Sequence, residues 1–267
     1  MSNVNIQGGR IDGIDFLEVV KTGKANMQGR NTRFRTLSER YELFWAAGIY
    51  GIPSALADIT SATEATNITC DRNFIIVGDN ATTDDALHYV EGGIVLNTSG
   101  ADNDECILAP HTLANLSAWN VVTWGTDKEV EWECFIQMGA SVASCAVWAG
   151  LKLTNTDVVI TDADQVFFRY ESGQNGARWE AVSSIAGTDT KTDTKSAAVL
   201  LDDFFHLRIT IDNLRIARFY IDGILVATTA ALTDAIDLIP FIGVGERGAS
   251  AAKAVRVFGQ AISRVVG

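Results

Sequence analysis

From Ala86 onward, short β-prone apolar runs recur along the chain, each closed by a cluster of turn residues. The 3.6-residue period of an amphipathic helix is almost nowhere to be found. The last third is clearest. Residues 205–211, 215–221 and 225–229 read as a three-strand meander, with Asp212-Asn213 and Asp222-Gly223 as its turns. In His206-Leu207-Arg208-Ile209-Thr210-Ile211 polar and apolar residues alternate, the pattern of a strand with one dry face. Residues 74–77, 87–96 (broken at Gly92-Gly93), 129–138, 143–153, 239–244 and 254–262 supply further strands. Residues 166–170 and 177–183 form an expected hairpin around 172–176, and residues 187–194 an expected polar loop. About ten to twelve short strands with so little helical period predict an all-β, two-sheet antiparallel sandwich over residues 85–267.

Residues 1–84 break this pattern. Apolar pieces at 14–20 and 41–52 alternate with polar and glycine-containing stretches, so this region is expected to be an irregular N-terminal arm for attachment and oligomerisation. Arg30, Arg33, Arg35 and Arg40 lie close in sequence to Phe34, Tyr41, Phe44 and Trp45. Cations orient an encounter and aromatics supply most of the buried contact, so these eight residues are the expected partner-binding set. A solvated polar stretch is the plainer alternative for the arginines.

Charge narrows the partners. The net charge is −12, yet residues 1–45 carry seven Lys/Arg against five Asp/Glu, a balance of +2 that leaves −14 on the rest. So acidic a body repels phosphate backbones, and nucleic acid is not an expected partner. No basic segment leads into an apolar run at the N-terminus, and no apolar stretch approaches the roughly 18 residues of a spanning helix. The expectation is a soluble protein made in the cytoplasm, with no membrane partner. Cys70, Cys106, Cys134 and Cys145 show no paired spacing and are expected to be free buried thiols.

The C-terminal pattern also carries a resemblance. Residues 205–212, then 217–227 with Phe219-Tyr220-Ile221-Asp222-Gly223, then 238–244 look like the closing half of concanavalin-A-like lectin/glucanase jelly rolls. They are most similar to the versions that occur as structural proteins of tailed bacteriophages. Glu131-Trp132-Glu133-Cys134-Phe135, Ala149-Gly150-Leu151 and residues 162–168 fit the same layout. The resemblance covers roughly residues 115–265. It implies fold far more strongly than function.

Against that background Glu129-Val130-Glu131-Trp132-Glu133 carries the sharpest question. Strand alternation would set all three carboxylates on one face, with Val130, Trp132 and Cys134 toward the core. Retaining glucanases of this fold use two glutamates about 5 Å apart on such a strand, flanking an aspartate. Here Glu131 stands at the middle position, and the expected reading is a solvated face without catalysis. His88, His111 and His206 are too scattered for a ligand set, and His206 is expected to pack at a strand start. Asp157, Asp162 and Asp164 read as a surface turn more readily than a calcium site. Of the six tryptophans, Trp45, Trp119, Trp124, Trp132, Trp148 and Trp179, most are expected to fill core and not to stack on sugar. No phosphate-binding glycine loop or nucleophile elbow occurs. No catalytic residue, metal or cofactor is expected.

Taken together, these features predict a non-enzymatic phage virion protein, a decoration or cement protein on the capsid surface. Its expected partners are the major capsid protein and copies of itself, as a homodimer or homotrimer. The alternative is a glycan-binding head- or tail-fibre module touching host-surface glycans, and a glucanase is the remote third reading.

Overall fold

The computed structural model describes residues 25–27, 30–32, 40–45, 74–79, 86–88, 93–110, 124–139, 141–154, 162–248 and 251–265. For residues 25–27, 30–32, 40–45, 74–75, 86–88 and 110 only the backbone is described. The chain divides into two compact units, one of residues 1–41 with 265–267 and one of residues 42–264. In the first, β1 (Ala25–Met27) and β2 (Arg30–Thr32) form an antiparallel hairpin.

The second unit is a sandwich of two antiparallel sheets, with no helix among the described residues. The strands are β3 (Arg40–Trp45), β4 (Phe74–Val77), β5 (Ala86–His88), β6 (Ile94–Asn97), β7 (Glu105–Pro110), β8 (Glu131–Gly139) and β9 (Cys145–Lys152). They continue with β10 (Gln165–Glu171), β11 (Glu180–Ile185), β12 (Thr188–Asp193), β13 (Phe204–Ile211), β14 (Ile216–Ile221), β15 (Ile224–Ala231), β16 (Ile239–Glu246) and β17 (Ala254–Val265). One sheet runs β12-β11-β10-β9-β16-β7-β4. The other runs β15-β14-β13-β8-β17-β6-β5, with β3 also paired to β17.

The meander forms as its alternation requires. Leu207, Ile209 and Ile211 of β13 and Ala217, Phe219 and Ile221 of β14 enter the core. Asp222 and Gly223 both take positive φ, 51° and 84°, as the tight turn between two right-twisted strands requires. Between the sheets Trp132, Trp179, Phe168 and Phe219 pack with Ile94, Leu96, Val147, Val166, Val244 and Val257. Each such side chain withdrawn from water stabilises the fold by about 1.5–3 kcal/mol.

Apart from its β12 edge, the seven-stranded sheet is dry on both faces. Val77, Ile107, Ala109, Ala146, Trp148, Phe167, Val182 and Phe241 form a second buried cluster, alternating with residues of the main core. This explains why β9 is buried along its whole length and reads as a continuous apolar run. Gly150 sits between Phe167 and Phe241 in the paired row, and the two rings meet edge-on at 5.7 Å. A Cβ on Gly150 would come within 2.5 Å of the Phe167 Cα, so the close approach of β10 requires glycine there.

Three expectations change. Most of residues 187–194 are not a loop: β12 extends the seven-stranded sheet as an exposed polar edge strand, which has no buried face to impose an apolar pattern. β4 precedes residue 85, yet it pairs with β7 and buries Ile76 and Val77 in the sandwich. β3 carries Arg40, Tyr41, Phe44 and Trp45 into pairing with β17, while Arg30 lies in β2. Arg33, Phe34 and Arg35 lie outside the described residues.

Candidate functional site

The polar residues of β8 and β13 meet on the outer face of the eight-stranded sheet. The register pairs Glu133 with Arg208 and Phe135 with His206, while Trp132 and Cys134 point inward. Trp132 donates its indole N–H to Gln260 Oε1 at 3.0 Å within the buried layer. Burial and the neighbouring Glu133 carboxylate push the Cys134 thiol well above its ordinary range.

On the outward side Glu131 and Glu133 each have a nitrogen-bearing partner on β13. His206 Nε2 lies 2.8 Å from Glu133 Oε2, and the His206 ring stacks on Phe135 with centroids 4.3 Å apart. Arg208 Nη1 lies 3.4 Å from Glu131 Oε1, and its guanidinium covers the Tyr220 ring at 4.1 Å. The side chains of Glu131, Glu133, His206 and Arg208 are only 10–20 % exposed. At the same end of the sheet as Gln137, Arg256 donates to Gln137 Oε1 at 3.0 Å and lies 3.4 Å from Asp202.

The expected row of three carboxylates is broken at its first member. Glu129 takes φ 48° and precedes β8, so strand alternation does not reach it. Only Glu131 and Glu133 share the face. His206 is more than a packed strand start, since it bridges Phe135 and Glu133. Arg208 and Tyr220 went unnoticed in the sequence. The alternation of His206, Arg208 and Thr210 marks a polar face, but only the β13–β8 register shows which carboxylates it meets.

The remaining candidates are structural where they are described. Asp162 accepts from the Thr154 N–H at 2.8 Å and the Thr154 hydroxyl at 2.7 Å. Asp164 accepts from the Ala186 N–H at 3.2 Å and from the Thr233 hydroxyl. Asp157, His111, Trp119 and Cys70 lie outside the described residues, and only the backbone of His88 is described. No group of three metal-ligating side chains occurs among the described residues. Trp124, Trp132 and Trp179 are core, and Trp148 belongs to the second apolar cluster.

The sequence matches no family model and no curated protein. The fold is that of the concanavalin-A-like jelly rolls. A protein of unknown function from Shewanella oneidensis MR-1 is similar at TM-score 0.55 and 11 % identity, over 96 % of this chain and 97 % of that one. An alginate lyase of polysaccharide lyase family 7 is similar at TM-score 0.51 and 10 % identity, over 77 % of this chain and 99 % of its own. The Emp46p carbohydrate recognition domain is similar at TM-score 0.50 and 10 % identity, over 80 % of this chain and 95 % of its own. Identities this low establish the shared fold alone, on which both enzymes and binding domains are built.

Proposed function

We propose that this chain is a non-enzymatic structural protein of a phage virion, a decoration protein held on the head by its N-terminal arm. Its partners are then the major capsid protein and further copies of itself. One observation carries the reading: both outward carboxylates of β8 are engaged by side chains of β13, Glu131 by the Arg208 guanidinium and Glu133 by the His206 imidazole. A retaining glycosidase needs one carboxylate as nucleophile and a second as proton donor across an open cleft. The face here instead uses its charges to hold two strands in register. The uneven charge of the chain, positive over residues 1–45 and strongly negative beyond, supports attachment through the N-terminal region.

Phe135 and Tyr220 favour a second reading, a glycan-binding module. Their rings lie among hydrogen-bonding groups on the outer face of one sheet, and amphipathic rings beside polar groups suit a sugar. The two readings separate in one experiment. The purified chain is mixed with phage heads lacking it and, in parallel, with host-surface polysaccharide. Saturable binding to heads supports the first reading. Binding to polysaccharide alone, lost in Phe135→Ala, would replace it with the second.

A further inference from the structure

One end of the sandwich holds charged side chains between its two sheets. Ile242 and Val244 of β16 and Val255 and Val257 of β17 point into the main core. Strand alternation puts Glu246, the last residue of β16, and Lys253, just before β17, on the same inward sides. The backbone anchors both. Thr98 donates its N–H to the Lys253 carbonyl at 2.9 Å, and the Lys253 N–H donates to Thr98 Oγ1 at 2.9 Å. On the other sheet the Glu246 N–H donates to the Asp104 carbonyl at 2.8 Å, and its carbonyl accepts the Asn103 N–H at 3.2 Å. Across the gap Lys253 Nζ lies 3.0 Å from Glu246 Oε2.

This pair differs from the other described ion pairs in burial and in chemistry. Lys253 and Glu246 are 1 % and 0 % exposed, whereas every other described pair keeps both side chains at 10 % or more. Arg169 and Arg208 serve the next most shielded carboxylates, and a guanidinium does not give up its proton. A lysine does, and its free amine is a nucleophile. A second buried carboxyl, Asp104, adjoins Glu246 on the neighbouring chain segment and is 1 % exposed. Its Oδ2 already accepts from the Ser99 hydroxyl and from the Ala101 N–H at 2.8 Å. Glu246 is thus the acid that faces the amine.

We infer that Lys253 and Glu246 are a self-modification site, joined by an isopeptide bond between the lysine Nζ and the glutamate Cδ. One proton passes from the ammonium to the carboxylate, giving an amine beside a carboxylic acid. Nζ then bonds to Cδ, one of its two remaining protons moves to the Cδ hydroxyl, and that oxygen leaves as water. An ion pair becomes an amide plus water, so the step needs no oxidant, reductant or co-reactant. Two features favour it. Strands fixed on either side hold the reacting groups together, and well-oriented intramolecular reactions reach effective molarities of about 10⁵–10⁸ M. Left as ions, both groups forgo their hydration, while the amide carries no charge. The bond ties β16 of one sheet to β17 of the other.

Intact-mass spectrometry of the denatured full chain tests this, and it does not depend on what the protein is attached to. Wild type is expected to be lighter by one water than its sequence requires. Fragmentation after digestion should place the loss at Glu246 and Lys253. Lys253→Met should restore the full mass, while Lys191→Met, at an exposed lysine of β12, should keep the deficit. Should Lys253→Met fail to fold, the wild-type mass and the mapped fragment still decide. A wild type of full mass would overturn the inference. So would a deficit that survives in Lys253→Met or maps elsewhere, for instance to a cyclised Asp222-Gly223.

Discussion

His206 stands over Phe135, directly opposite it, and places Nε2 2.8 Å from Oε2 of the diagonal Glu133, tying β13 to β8. Both groups are mostly shielded from water, which strengthens the hydrogen bond between them.

The first prediction concerns this pair. Glu133→Gln should lower stability by about 1.5–3 kcal/mol, the range for a hydrogen bond to a charged group. Glu131→Gln, whose contact is longer at 3.4 Å, should cost less. Urea unfolding checks both. The double variant should also leave polysaccharide turnover at the wild-type level, which is expected to be none. Release of reducing or unsaturated sugar by the wild type, lost in the double variant, would make these carboxylates catalytic.

A second prediction rests on Gly150. Gly150→Ala inserts a methyl group where the Phe167 backbone and side chain stand within 2.6 Å. The strands must separate or the aromatic pair must shift, at about 1–3 kcal/mol. A fall in the denaturation midpoint with an unchanged slope is the expected result. Full stability would mean that β9 and β10 are not so closely apposed.

Thiol chemistry supplies a third. Cys106, Cys134 and Cys145 are buried thiols. Burial pushes the Cys145 thiol up to about 12, against the pull of Lys253 and with added opposition from Glu246. The unfolded chain ionises the Cys145 thiol near pH 9 while the native one does not, so its contribution is intact below pH 9 and declines as pH rises from there toward about 12. In a Cys70→Ser chain at pH 8, a disulfide reagent should find no thiol in the native protein and three after denaturation. Rapid native labelling of any of the three would contradict the packing.

How much of this was legible in the sequence depends on whether a local pattern existed to be read. The β13–β14–β15 meander was visible because each strand has one dry face and Asp222-Gly223 suits only a tight turn. β12 was not, since Thr188-Asp189-Thr190-Lys191-Thr192-Asp193 buries nothing and its strand character comes from pairing with β11. At the candidate face the two carboxylates were legible and their partners were not. Glu133 and His206 are 73 residues apart, and register alone brings them together. Glu129 shows the converse error, a local alternation interrupted by one residue at φ 48°.

The boundary of the sandwich gives the fourth prediction. A chain beginning at residue 40 keeps β3 and β4 and should fold with a cooperative transition. A chain beginning at residue 85 lacks β4, hence the buried Ile76 and Val77, and should be less stable by several kcal/mol. Circular dichroism during thermal unfolding distinguishes them, and equal stability would place β4 outside the cooperative core.

Attachment through the N-terminal region is the central claim, and co-sedimentation with phage heads lacking this protein tests it most directly. The full chain and a chain starting at residue 40, which loses Arg30, Arg33, Phe34 and Arg35 but keeps the sandwich strands, are compared at increasing salt. The account predicts saturable binding of the full chain that weakens as salt screens the arginines, and no binding of the shortened one. Full-strength binding by the shortened chain would contradict it and move the attachment surface onto the sandwich.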